Sequence, residues 1–144
     1  MKAAKNRRVQ AIFAANRVIP GIEGDFVVMA LCSSDYGAAD DHITALAEQG
    51  DIAVTRDVPL AGRLICKGVS VIDDRGRAFT RENIRTLLSV RDFNIGLALG
   101  GVEIVRAASY GKKELKLFAD SFDRLLTAAL HALRPGVPQA DQGA

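Results

Sequence analysis

The sequence predicts an α/β fold layered around a mostly parallel sheet. Short apolar runs alternate with amphipathic segments, and the connections between them are brief. One run, residues 26–32 (FVVMALC), is continuously apolar, as strands covered on both faces are. The chain has 144 residues, 49% of them apolar and 25% charged, enough to build a core and too apolar for wholesale disorder.

Residues 9–15 (VQAIFAA) form the first strand-like run, ended by Asn16-Arg17 and the loop signal Pro20-Gly21. The run at 26–32 follows Gly24-Asp25 and stops at Ser33-Ser34. Residues 39–49 read as a helix, with Ile43, Leu46 and Ala47 at helical spacing and Gly50 as its stop. A third strand covers 52–55. Pro59 suits the first turn of a helix that reaches Lys67 and closes at Gly68, where Cys66 reads as core packing.

Residues 69–72 make a fourth strand, followed by the turn Asp73-Asp74-Arg75-Gly76. Thr80 is a suitable cap for a helix from Arg81 to about Val90, with Ile84, Leu87 and Leu88 inward. Residues 97–105 are compatible with either helix or strand. Leu115, Phe118, Phe122, Leu125, Leu126, Ala129 and Leu133 then mark one stripe of a long amphipathic helix, a core face or the seam of a homodimer. The Pro/Gly/Gln-rich end, 135–144, reads as a disordered tail.

No apolar run reaches the roughly 18 residues needed to span a bilayer. Cys32 and Cys66 are isolated, which argues against a disulfide framework and a zinc site. A cytoplasmic protein with no membrane partner is the expectation. Gly100-Gly101 lacks the context of a phosphate-cradling loop, and Ser33-Ser34 lacks that of a hydrolase elbow.

Net charge is +2, but residues 56–91 hold eight basic residues against four acids. Arginine dominates there, and its planar fork suits phosphate oxygens. Acids stand at three strand ends: Asp40-Asp41 in the region after the second, Asp57 after the third, Asp73-Asp74 after the fourth. In open α/β sheets chemistry gathers at these ends. Clustered carboxylates suit Mg²⁺ or Mn²⁺, ions that promote phosphodiester hydrolysis. Asp also starts helices and turns, so Asp40 and Asp57 equally fit structural roles.

The block Gly50-Asp51-Ile52-Ala53-Val54-Thr55-Arg56-Asp57-Val58-Pro59-Leu60-Ala61, with Lys67-Gly68, Arg75-Gly76, Thr80, Glu82-Asn83-Ile84 and Arg91-Asp92, closely resembles the YaiI/YqxD family of uncharacterised bacterial proteins. Ala14-Ala15-Asn16-Arg17 and Ala38-Ala39-Asp40-Asp41 also match it in order and spacing. The resemblance implies a single three-layer PIN-like domain over residues 1–134, a fold shared with metal-dependent nucleases. It would make Asp40, Asp57 and Asp73 the catalytic acids and metal ligands, and would have Thr55 orient the turn. Asn16, Arg17, Arg56, Arg75 and Arg91 would face RNA or DNA.

Family members open with a strand that ends in Asp-x-Asp-x-Cys-Pro. Here MKAAKNRR, like the tail of the following helix, precedes Val9, so that central strand and its acids are expected to be missing. The expectation is an incomplete reading of the gene or a decayed copy, with little hydrolysis by the chain itself. Asp74 stands where the family more often has proline. The alternative is a non-catalytic module that binds nucleic acid or a protein.

Overall fold

A computed structural model describes residues 1–101 and 109–133. Residues 102–105 and the expected tail at 135–144 lie outside the described residues. The chain divides into two compact units, Met1–Ala47 and Glu48–Ala144. Among the described residues, no helix is long and apolar enough to cross a membrane.

The first unit opens with α1 (Lys2–Arg7), ended by Arg8 in the left-handed conformation. Strands β1 (Ala11–Ala15) and β2 (Val27–Leu31) pair in parallel, Ala11 opposite Val27 and Ala15 opposite Leu31. Helix α2 (Ala38–Leu46) packs on β1. Gly37 precedes it in the left-handed region, and Asp40 and Asp41 occupy its first turn, where carboxylates complement the helix dipole.

The apolar run of β2 is not buried on both faces as expected. Val28 and Leu31 are exposed, the latter at 63%, and α2 has no buried residue. The strand also starts one residue later than the apolar run, because Phe26 adopts a left-handed φ of 65°.

In the second unit β3 (Ile52–Val54) pairs in parallel with β4 (Ser70–Ile72), and β4 pairs antiparallel with the two-residue β5 (Ala78–Phe79). Thus the described strands form two sheets, one parallel and one mixed, and two of their three pairings are parallel, as the expectation of a mostly parallel sheet without its central strand has it. The antiparallel ladder arises locally. The 73–77 turn is too short for anything but a hairpin return.

Helix α3 (Val58–Cys66) links β3 to β4 and carries four buried residues, Leu60, Ala61, Leu64 and Ile65. Their spacing places them on one face, against β4, β5 and the helix α4 (Arg81–Leu99). Val71, Ile72 and Phe79 complete this core, and Leu64 is fully buried. Burial of a leucine of this kind stabilises the fold by about 1.5–3 kcal/mol. Cys66 falls off that face and is exposed, contrary to the expected core role.

Helix α4 starts on a reciprocal cap. Asn83 N–H donates to Thr80 Oγ1 at 3.1 Å, and Thr80 N–H donates to Asn83 Oδ1 at 2.8 Å. It runs past Val90, the expected end, to Leu99, because residues 91–99 contain no proline to interrupt the hydrogen-bond ladder. Helix α5 (Lys112–Ala132) buries Leu126, with Phe118 and Phe122 stacked at 5.6 Å between centroids. The two ends of its stripe, Leu115 and Leu133, are exposed.

Candidate functional site

The sequence-expected residues fall in three places. The first is the carboxyl edge of β3 and β4. The ladder puts Val54 opposite Ile72 and continues one step further, with Thr55 N–H donating to Ile72 O at 3.0 Å. Thr55-Arg56-Asp57 and Asp73-Asp74-Arg75 therefore leave neighbouring parallel strands side by side.

Each acid at this edge has a local task. Thr55 Oγ1 accepts the Asp57 amide at 3.0 Å, which tightens the turn. Asp57 Oδ1 accepts Leu60 N–H at 2.8 Å and so caps α3. Asp73 is buried, only 8% exposed. Its Oδ1 accepts the amides of Arg75 and Arg77, both at 2.9 Å, while Oδ2 faces Arg77 Nε at 3.5 Å. The Asp73 backbone adds bonds to Arg77 O and from Gly76 N–H. One side chain thus organises the whole β4–β5 turn.

Asp74, absent from the sequence-expected set, holds Arg56. Arg56 Nε donates to Asp74 Oδ2 at 2.8 Å, and Nη2 bonds the same oxygen. The pair keeps the Asp74 carboxyl below its ordinary pKa and holds Arg56 more firmly protonated. Tyr110 OH donates to Asp74 O at 2.8 Å, and the Arg75 guanidinium lies 5.9 Å from the centre of the Tyr110 ring, within cation–π range.

The second place is the carboxyl end of β1 and β2. A cavity of about 380 Å³ is lined there by residues that include Asn16, Ser33, Asp35, Gly37 and Asp40. Ser33 Oγ donates to Asp35 Oδ2 at 3.0 Å, and Asp40 O accepts Thr44 Oγ1 at 2.8 Å. Arg17 is exposed beside Asn16.

The third is a cleft of about 580 Å³ formed by the start of α3, Arg77 and one face of α4. Arg91 lines it, as do Asn94 and Ile95, which sequence reasoning missed. The signal for them was their i, i+3, i+4 spacing from Arg91, hidden by an expected helix end at Val90.

Among the described residues, no group of three His, Cys, Asp or Glu side chains is placed to hold a metal ion. Asp40 belongs to the first unit, Asp57 and Asp73 to the second. Asp57 Oδ1 is engaged in a helix cap and Asp73 Oδ1 in a turn.

A family model described as "Uncharacterized BCR, YaiI/YqxD family" matches residues 1–128. A UPF0178 protein of Treponema denticola is 44% identical over 129 residues, spanning 90% of this chain and 82% of its own length. One from Treponema pallidum is 39% identical, with 92% and 75% covered. One from Desulfotalea psychrophila is 38% identical, with 87% and 84% covered. No solved structure gives a significant match.

Proposed function

The chain belongs to the YaiI/YqxD family, and we propose that it binds RNA or DNA phosphates through the basic segment at residues 56–91, without catalysis. One observation carries this reading. Asp57 and Asp73, two of the segment's four acids, turn an oxygen to backbone amides. Arg56 is paired with Asp74 and Arg77 faces Asp73, whereas Arg63, Lys67, Arg81 and Arg85 add exposed positive charge. A segment of modest formal charge therefore presents a more basic surface than its composition suggests.

Fluorescence anisotropy with labelled RNA and DNA tests this. Affinity falls steeply with salt, with a log–log slope of about −0.7 to −0.9 per phosphate contacted. Exchanging Arg81 and Arg85 for Gln makes the slope shallower by about 1 for each phosphate that is no longer neutralised. Affinity that is indifferent to salt overturns the proposal.

A second reading is metal-dependent hydrolysis of phosphodiester bonds by a PIN-like domain, with Asp57 and Asp73 of the second unit among the acids. It is favoured by the placement of Asp57 and Asp73 at the ends of adjacent parallel strands. Asp57→Asn separates the two readings, because Asn caps a helix as well as Asp. Metal-dependent cleavage that this substitution abolishes, with folding unchanged, supports hydrolysis; cleavage at full rate in the variant removes Asp57 from it.

A further inference from the structure

The α3–α4 cleft has a composition that the phosphate-binding surface does not explain. Val58, Leu87, Val90 and Ile95 give it apolar walls, and Arg77, Arg91 and Asn94 its polar groups. Leu87, Val90, Arg91, Asn94 and Ile95 share one face of α4 by helical spacing. No acid is found among the described lining residues.

The carboxylates that face the two arginines hold them only loosely. Arg77 Nε is 3.5 Å from Asp73 Oδ2, and Arg91 Nη1 is 3.6 Å from Asp92 Oδ1, both longer than a charge-assisted hydrogen bond. An occupant must therefore be anionic at one end and apolar in its body. The amide of Asn94 adds one donor and one acceptor group for a polar edge. The volume lies in the range of small-ligand sites.

We propose that this cleft takes one unstacked nucleotide of a single-stranded nucleic acid, with its base between the apolar walls and its phosphate at Arg77 and Arg91. A nucleotide combines those properties: a flat, weakly polar body, a hydrogen-bonding edge and an attached anion. Duplex bases are stacked and paired, so the cleft selects single strands. This inference rests on the nucleic-acid reading above and names the form of nucleic acid recognised.

The test measures anisotropy of a short labelled single strand, the same sequence as duplex, an abasic strand of equal charge, and a free mononucleotide. The intact single strand should bind about tenfold tighter than the duplex and the abasic strand. Val90 and Ile95 are already exposed, so Val90→Asp and Ile95→Gln leave the fold in place and lower single-strand affinity several-fold. Arg91→Gln lowers it too, and flattens its salt dependence.

Equal binding of intact and abasic strands, or unchanged affinity in both cleft variants, overturns the cleft while the charge-based reading stands. A free mononucleotide that binds as tightly as the strand overturns the strand as occupant. Failure to bind any nucleic acid overturns both readings, and binding of an amphipathic Glu/Leu peptide in that case assigns the cleft to a protein.

Discussion

Two parallel strand pairs in this chain differ in a way their sequences do not announce. The β1–β2 ladder is five residues long and built from the most apolar run in the protein, yet none of its residues is buried. The β3–β4 ladder is only three residues long, yet Val71 and Ile72 on β4 are almost wholly removed from water. The covering helix makes the difference. Helix α3 sets Leu60, Ala61, Leu64 and Ile65 into the second unit's core, whereas α2 contributes no buried side chain to the first. Hydrophobic runs supply strands; a matched apolar helix face decides whether they are buried.

The sharpest way to break this comparison is to truncate one leucine from each unit. Leu64→Ala should cost about 2–5 kcal/mol, because a fully buried side chain leaves a cavity. Leu31→Ala, at a position 63% exposed, should change stability by less than about 0.5 kcal/mol. Urea denaturation of both variants reads the contrast. Equal losses would mean that the β1–β2 face is covered in solution.

A smaller effect separates two glycines that both have positive φ. Gly76, at φ 82°, lies against α5, where an added Cβ would sit 2.5 Å from Leu117 O and 2.7 Å from Ser121 Oγ. Gly37, at φ 75°, has nothing within 4 Å. Gly37→Ala should therefore cost only the left-handed backbone penalty, about 1–2 kcal/mol. Gly76→Ala should cost more, since the turn must also move away from α5. Thermal melts order the pair, and a larger loss at Gly37 would contradict the close packing of the turn.

What could be read from the sequence was local. Asp57-Val58-Pro59 announces the start of α3, and Thr80 with Asn83 announces that of α4, because cap chemistry involves neighbours three residues apart. The turn at 73–76 is equally plain in its Asp, Arg and Gly. Among the site residues, the structural alternative for Asp57 was visible as a helix cap, and the basic bias of residues 56–91 was visible by counting. The rest depended on distance along the chain. Tyr110 reaches Asp74 across 36 positions, and no local rule foresees that bond. Asn94 and Gly96 are weak helix formers, so the second half of α4, and with it the cleft, was hidden by low local propensity. The exposure of β2 could not be seen either, since a continuous apolar run looks the same whether or not a helix covers it.

The smallest expected effect concerns ion pairs, one in each unit. In the first, Lys5 Nζ and Asp25 Oδ2 are 4.0 Å apart and both largely exposed, so Asp25→Asn should leave the melting temperature within error. In the second, Asp74 accepts two bonds from Arg56, and its carboxyl is held below the ordinary value of 3.8. A carboxyl whose pKa is depressed by folding stabilises the native state when ionised in both states. That contribution is complete above the unfolded pKa and is lost as pH falls through the lower, folded one. Arg56 stays charged throughout, so the dependence belongs to Asp74. Asp74→Asn should therefore melt slightly below the parent at neutral pH, and the gap should close as pH drops below about 3.8. A gap that persists unchanged into strong acid would mean that the Asn disturbs the Tyr110 contact to the Asp74 carbonyl, and that the ion pair itself adds nothing.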